Sequence, residues 1–183
     1  MGRGGGAGRL IADPRLAALG WRGVDLPAPP GAEGADEDAY DAHRLALGVP
    51  DPARDCPPDK IYPIEADFDL LQGIDFKKGC FIGQETTSRM KRRGGVRSRM
   101  LPIAFDGPAP PFGTEVLAGE LRAGEVLSGR DGRAMALLRL DRIDGAALTA
   151  AGRPVAAEWP PWLAPESLSQ REREGPIAPA MGG

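Results

Sequence analysis

The chain has 183 residues, a formal charge of −3, 42% hydrophobic and 27% charged residues. That is the make-up of a globular protein long enough for one or two small domains with a real core. The slightly acidic balance excludes a general nucleic-acid coat protein, so any nucleic-acid contact has to be local. Cys56 and Cys80 are the only cysteines and form no CxxC pair, which excludes a disulfide framework and fits a reducing compartment. One histidine, His43, excludes a standard zinc site or a Ser-His-Asp triad. No apolar run approaches the ~20 residues of a membrane helix, and the opening MGRGGGAGRL has neither a secretory core nor a good myristoylation signal. These features together predict a cytoplasmic protein without a membrane partner.

In chain order, residues 1–8 are glycine-rich and predicted to be loose. RLIADPRLAALGWRGVDL predicts a short strand, a turn at Asp13-Pro14, a helical turn and a second strand. DEDAYDAHRLALG predicts a helix, with acidic residues in its first turn, Gly48 just past its end and Pro50 beyond. VPDPARDCPPDKIYP carries five prolines and is predicted to hold no regular structure. EADFDLLQGI predicts a short helix ending near Gly73, DFKKGCFI a brief extended piece, and Gly83 opens a helix to about Arg92. From Val96 the pattern changes. VRSRMLPIAFD, TEVLAG, ELRAGEVLSG, RAMALLRLDRI and PVAAEW are short runs with partial period-2 alternation, separated by turn residues, the cue for a small antiparallel barrel or sandwich. Asp131-Gly132 is a hairpin signal. From Trp159 onward the chain reads mostly as tail.

The chemistry concentrates in FKKGCFIGQETTSRMKRRGG, residues 76–95. In an extended segment Lys78 and Cys80 share a face. A nearby ammonium and a helix N-terminus both favour thiolate over thiol. A reactive Cys80 and a buried, inert one both fit the residues. Gly79 and Gly83 allow either a simple turn or close backbone approach to a ligand. Glu85 either pairs with Arg89 one helical turn on or grips a polar ligand. The cations Arg89, Lys91, Arg92, Arg93, Arg97 and Arg99 make either a solvated face or a site for phosphate, carboxylate or RNA. No aromatic residue interleaves them, which weakens a single-strand stacking mode.

KGCFIGQETTSRMKRRG closely resembles the K-G-C-[FY]-x-G-Q-E-x-x-x-R…R-G segment of the YgfZ-type folate-binding proteins. That family includes iron–sulfur cluster assembly factors and is related to the glycine-cleavage aminomethyltransferase. Lys78, Gly79, Cys80, Phe81, Gly83, Gln84, Glu85, Arg89, Arg93 and Gly94 fall on the pattern. IADPRLAALGWR is similar to the family's D-P-R…L-G-x-R strand and turn, AYDAHRLALGVP to its helix before a proline-rich link, and AGEVLSGRDGRAMALLRLD to its C-terminal barrel.

The resemblance implies an α+β protein: a partial aminomethyltransferase-like region in residues 1–95, a small antiparallel β-barrel in 96–163, and a flexible tail in 164–183. It also implies that a first domain usual in the family, lying ahead of the DPRL strand, is not in this sequence. The function implied is binding of tetrahydrofolate by a factor that assists assembly or repair of iron–sulfur clusters in client enzymes, tRNA-modifying ones among them. Cys80 would be the functional thiol, or a transient cluster ligand that cannot complete a four-ligand site alone. Lys78, Gln84, Glu85 and Arg89 would shape the cofactor's surroundings. The expected partners are iron–sulfur client or assembly proteins, with no direct nucleic-acid contact. Three other readings stand beside this one: an aminomethyltransferase-like enzyme using the same folate, an RNA-binding module, and a truncated fragment without function.

Overall fold

The computed structural model describes residues 9–76 and 96–163. Its centre is a closed six-stranded antiparallel barrel preceded by a hairpin, two helices and a run of turns. Strand β1 (Ile11–Ala12) pairs with β2 (Trp21–Arg22) around a 3-10 turn at Ala17–Leu19, as the sequence predicts. All four paired residues are exposed, and Trp21 and Val24 point to solvent.

Helix α1 (Glu37–Ala46) starts where an aspartate can cap it: Asp36 Oδ1 accepts from the Ala39 amide at 2.8 Å. It stops at Gly48, which has φ +69. A side chain there would also strike Pro160, whose Cγ lies 2.3 Å from where a Cβ would sit, so glycine is required twice over. The proline-rich stretch is less irregular than its composition suggests. Pro52–Asp55 form a short helix, α2, because Asp51 caps it and Pro52 takes the first-turn position, where a missing N–H costs nothing. The predicted helix over residues 65–74 is absent. Asp67 (φ 61) and Gln72 (φ 59) adopt left-handed backbone, and the segment folds as successive turns instead. Of the brief extended piece predicted over residues 75–82, Asp75 and Phe76 are described and form no strand; the rest of it and the helix predicted from Gly83 to Arg92 lie outside the described residues.

The barrel runs β3 (Ser98–Ala104), β4 (Glu115–Ala118), β5 (Leu121–Arg130), β6 (Arg133–Arg139), β7 (Leu148–Ala150) and β8 (Arg153–Ala157). The strand order around it is β3-β6-β5-β4-β7-β8. The Asp131-Gly132 turn closes the β5–β6 hairpin, pairing Arg130 with Arg133. Two features exceed the sequence prediction: strand β7, and a four-residue helix α3 (Leu140–Ile143) directly after β6. Trp159 to Leu163 is not tail either. It ends in a 3-10 turn with Leu163 buried, and Trp162 Nε1 donates to Leu47 O at 2.8 Å.

Alternate residues fill the barrel, among them Leu101, Ile103, Val126, Ala134, Ala136 and Leu138. The opposite face of the β3–β6–β5 wall is buried as well: Met100, Leu127 and Met135 pack with Leu45 of α1 and Ala66. Strands covered on both faces lose the clean apolar–polar alternation, which explains why MLPIA reads as a continuous apolar run. Gly124 fits where β5 crosses β6, since a Cβ there would sit 2.1 Å from Leu137 O.

Candidate functional site

The residues expected to carry the chemistry, Lys78, Cys80, Gln84, Glu85 and Arg89, lie outside the described residues. Both flanks of that segment are described, and they are joined. Met100 N donates to Glu65 O at 2.9 Å, and the Arg99 guanidinium reaches Ile64 O, Asp67 and Asp69. Arg99 therefore leaves the group of cations read as a surface site. It is buried because its strand is covered by the turn segment, and two carboxylates there claim its donors. Arg97 is exposed.

A cleft of about 490 Å³ opens where three pieces of chain meet. Asp13 to Ala17 of the hairpin form one wall, Leu70 to Gln72 a second, and Pro161 with Trp162 a third. The volume is within the range of small-molecule sites. Its polar centre is Asp13, whose side chain is almost fully buried. Oδ1 accepts from the Arg15 amide at 2.9 Å and from Arg15 Nε at 3.1 Å; Oδ2 accepts from Arg15 Nη2 at 2.9 Å and Arg22 Nε at 2.5 Å. Arg15 Nη2 also donates to the Tyr40 hydroxyl. The Arg15 hydrogen bond, with Arg22 behind it, holds the Asp13 carboxyl well below the usual carboxylate range. Asp13 and Arg15 both line the cleft, and Arg22 reaches Asp13 from outside that lining. The D-P-R…L-G-W-R spacing is the sequence signal for this cluster: the hairpin register pairs Arg22 with Ile11, two residues before Asp13.

A second buried network joins the helices to the barrel, and little in the sequence hints at it. Arg44 donates to Asp41 Oδ1, Asp55 Oδ2, Val49 O and Ser128 Oγ. Asp55 Oδ1 accepts from both the amide and the hydroxyl of Ser128 on β5. Ser128 lies in the AGEVLSG run, and its role here is to tie α2 to the barrel wall. Cys56, next to Asp55, is half-buried. Burial, then the charges of Asp55 and Asp51, push its thiol up to about 11, the setting of an inert cysteine.

Among the described residues no group of three His, Cys, Asp or Glu side chains could hold a metal ion. The cleft suits part of a folate. Leu16, Leu70 and Trp162 can pack against rings, and Arg15 can face a carboxylate. Asp13 does not suit the pterin ring, because its oxygens already accept four hydrogen bonds.

The barrel defines the class. Residues 97–165 match the family described as CAF17, C-terminal beta-barrel domain. Longer stretches are similar to iron–sulfur cluster assembly factors. The chain is 38% identical over 152 residues to "Iron-sulfur cluster assembly factor IBA57, mitochondrial" of Homo sapiens, covering 78% of this chain and 43% of that protein. The mouse protein of the same name is 37% identical over 151 residues, covering 76% and 42%. The IBA57 homolog of Mycosarcoma maydis is 38% identical over 112 residues, covering 57% and 28%. The chain thus spans less than half the length of each of these relatives. The matches support the family resemblance carried by the KGCFIGQE segment. They overturn the cytoplasmic expectation, since these relatives are named as mitochondrial. That expectation rested on unpaired cysteines and missing apolar segments, which suit any reducing compartment equally well.

Proposed function

We propose that the chain is a YgfZ-type factor that assists assembly or repair of iron–sulfur clusters in client enzymes, with Cys80 as its functional thiol. The observation that carries this is the similarity to the human assembly factor across 78% of the chain. Tetrahydrofolate is its proposed ligand. The cleft supports that in part, by its volume, its Trp162 wall and the Arg15 guanidinium in its lining. Lys78, Gln84, Glu85 and Arg89 supply the remaining contacts in this reading, and tRNA-modifying enzymes are among the proposed clients.

The test is complementation. Cells lacking their own factor of this family are given the 183-residue chain, and the activity of a cluster-dependent enzyme is measured alongside that enzyme's protein level. Restored activity at constant protein level supports the proposal. Unchanged activity with the chain present and folded contradicts it.

A further inference from the structure

Arg99 faces two carboxylates from one segment. Its Nη1 donates to Asp69 Oδ1 at 2.6 Å and to Asp67 Oδ1 at 3.0 Å, and its Nη2 to Asp69 Oδ2 at 3.0 Å. Asp69 therefore takes the two-pronged contact and Asp67 is held by one oxygen only. The side chains of Arg99, Asp67 and Asp69 are 5%, 0% and 9% exposed. Asp67 Oδ2 is buried and has no hydrogen-bond partner among the described residues. Among the described residues one guanidinium faces both carboxylates, so with both ionised this cluster would carry a net negative charge in a dry place. The uncompensated charge would fall on an oxygen that no described donor reaches. An ionised oxygen in that position is far costlier than a neutral hydroxyl lacking an acceptor. The other titratable group of this segment, Glu65, adds no positive charge: its carboxylate accepts from the Tyr62 amide, and its backbone oxygen from Met100 N.

We propose that Asp67 carries a proton in the folded protein, and that Asp67, Arg99 and Asp69 form a pH-sensitive clasp fastening the turn segment to β3. Burial pushes the Asp67 carboxyl well above the usual carboxylate range, against the pull of Arg99. The left-handed backbone at Asp67 (φ 61) aims the side chain inward at a conformational cost that the clasp offsets. The clasp joins the chain before Phe76 to the chain after Val96, so it fixes the spacing between the two flanks of the KGCFIGQE segment. Its formation does not depend on the proposed function.

Its sign follows from the raised folded value. Between the ordinary carboxylate pKa of about 3.9 and the folded one, the native state holds a proton that the unfolded chain has released. Stability is therefore fully present below that ordinary value and falls as pH rises toward the folded one. Within the window, one proton changes the unfolding constant by about tenfold per pH unit.

The experiment is denaturant unfolding of the full chain between about pH 5 and about pH 8, for the parent and for Asp67→Asn, which cannot ionise. The parent should lose stability with rising pH, and the variant should lose most of that dependence. In parallel, infrared difference spectra of aspartate-labelled parent protein should show a protonated carboxyl band at the acid end, and Asp67→Asn should lack it. A variant with the parent's pH dependence overturns the proposal. If Asp67→Asn does not fold, the parent's band decides: its presence supports the protonated clasp, and its absence across the whole range overturns it.

Discussion

Arg44 Nη1 lies 2.5 Å from Asp55 Oδ2, and both side chains are essentially without solvent contact, at 1% and 0% exposed. One residue comes from α1 and the other from α2, and Ser128 of β5 bonds to both. The contact between the helices and the barrel therefore has a charged centre, with the apolar cluster of Leu45, Met100 and Leu127 beside it.

Removing one member of that pair leaves the other buried and uncompensated. Asp55→Ala should destabilise the chain by about 3–5 kcal/mol in denaturant unfolding. Replacing Arg44 and Asp55 together with apolar residues of similar volume should recover much of that loss. A double variant no better than Asp55→Ala would show that the network's geometry matters more than its charge.

Gly124→Ala should be costly for a steric reason. The new methyl would meet the Leu137 carbonyl at 2.1 Å, and that atom belongs to the paired strand. A loss of at least about 1–3 kcal/mol is expected, read as a lowered melting temperature. An unchanged melt would mean that β5 and β6 can separate locally without penalty.

The two cysteines should differ in reactivity. With its thiol pushed up to about 11, Cys56 is thiolate in only about one molecule in a thousand at pH 8, so alkylation should be slow and should speed up steadily toward pH 11. Cys80 should label faster at neutral pH if it is the functional thiol. Mass spectrometry of timed alkylation separates the two sites. Equal rates at about pH 7 would remove the basis for distinguishing them.

Trp162 reports on the cleft, since its ring lines it and its Nε1 is bonded to Leu47 O. Tetrahydrofolate binding should change Trp162 emission and register by calorimetry. Arg15→Gln should weaken it about tenfold or more by removing a charge-assisted contact. Trp162→Phe, which keeps the apolar wall, should cost about 1 kcal/mol of stability for the lost hydrogen bond. Heat of binding that is identical in Arg15→Gln would place the ligand elsewhere.

The barrel is legible in the sequence because its strands keep enough period-2 alternation between turn residues, and because Asp131-Gly132 marks a hairpin. Strand β7 escapes that reading because Leu148–Ala150 is three residues long, too short for a period to show. The false helix over residues 65–74 comes from sound spacing: Phe68, Leu71 and Ile74 are apolar at three-residue intervals. The clasp at Arg99 overrides that preference by holding Asp67 in a left-handed turn. Arg99 itself reads as one surface cation among several, because its burial depends on carboxylates 30 and 32 positions away. The Asp13 cluster is half visible. Its residues stand in the DPR…LGWR motif, but local sequence does not tell how many donors will converge on one carboxylate.

The most direct test of the role given to Cys80 is the complementation experiment with three chains: the parent, Cys80→Ser and Cys56→Ser. Melting temperatures of the purified proteins serve as the control. The parent and Cys56→Ser should restore the cluster-dependent enzyme. Cys80→Ser should fail while melting within about a degree or two of the parent, about half a kcal/mol or less. A folded Cys80→Ser chain that restores the enzyme fully would contradict the central role of that thiol.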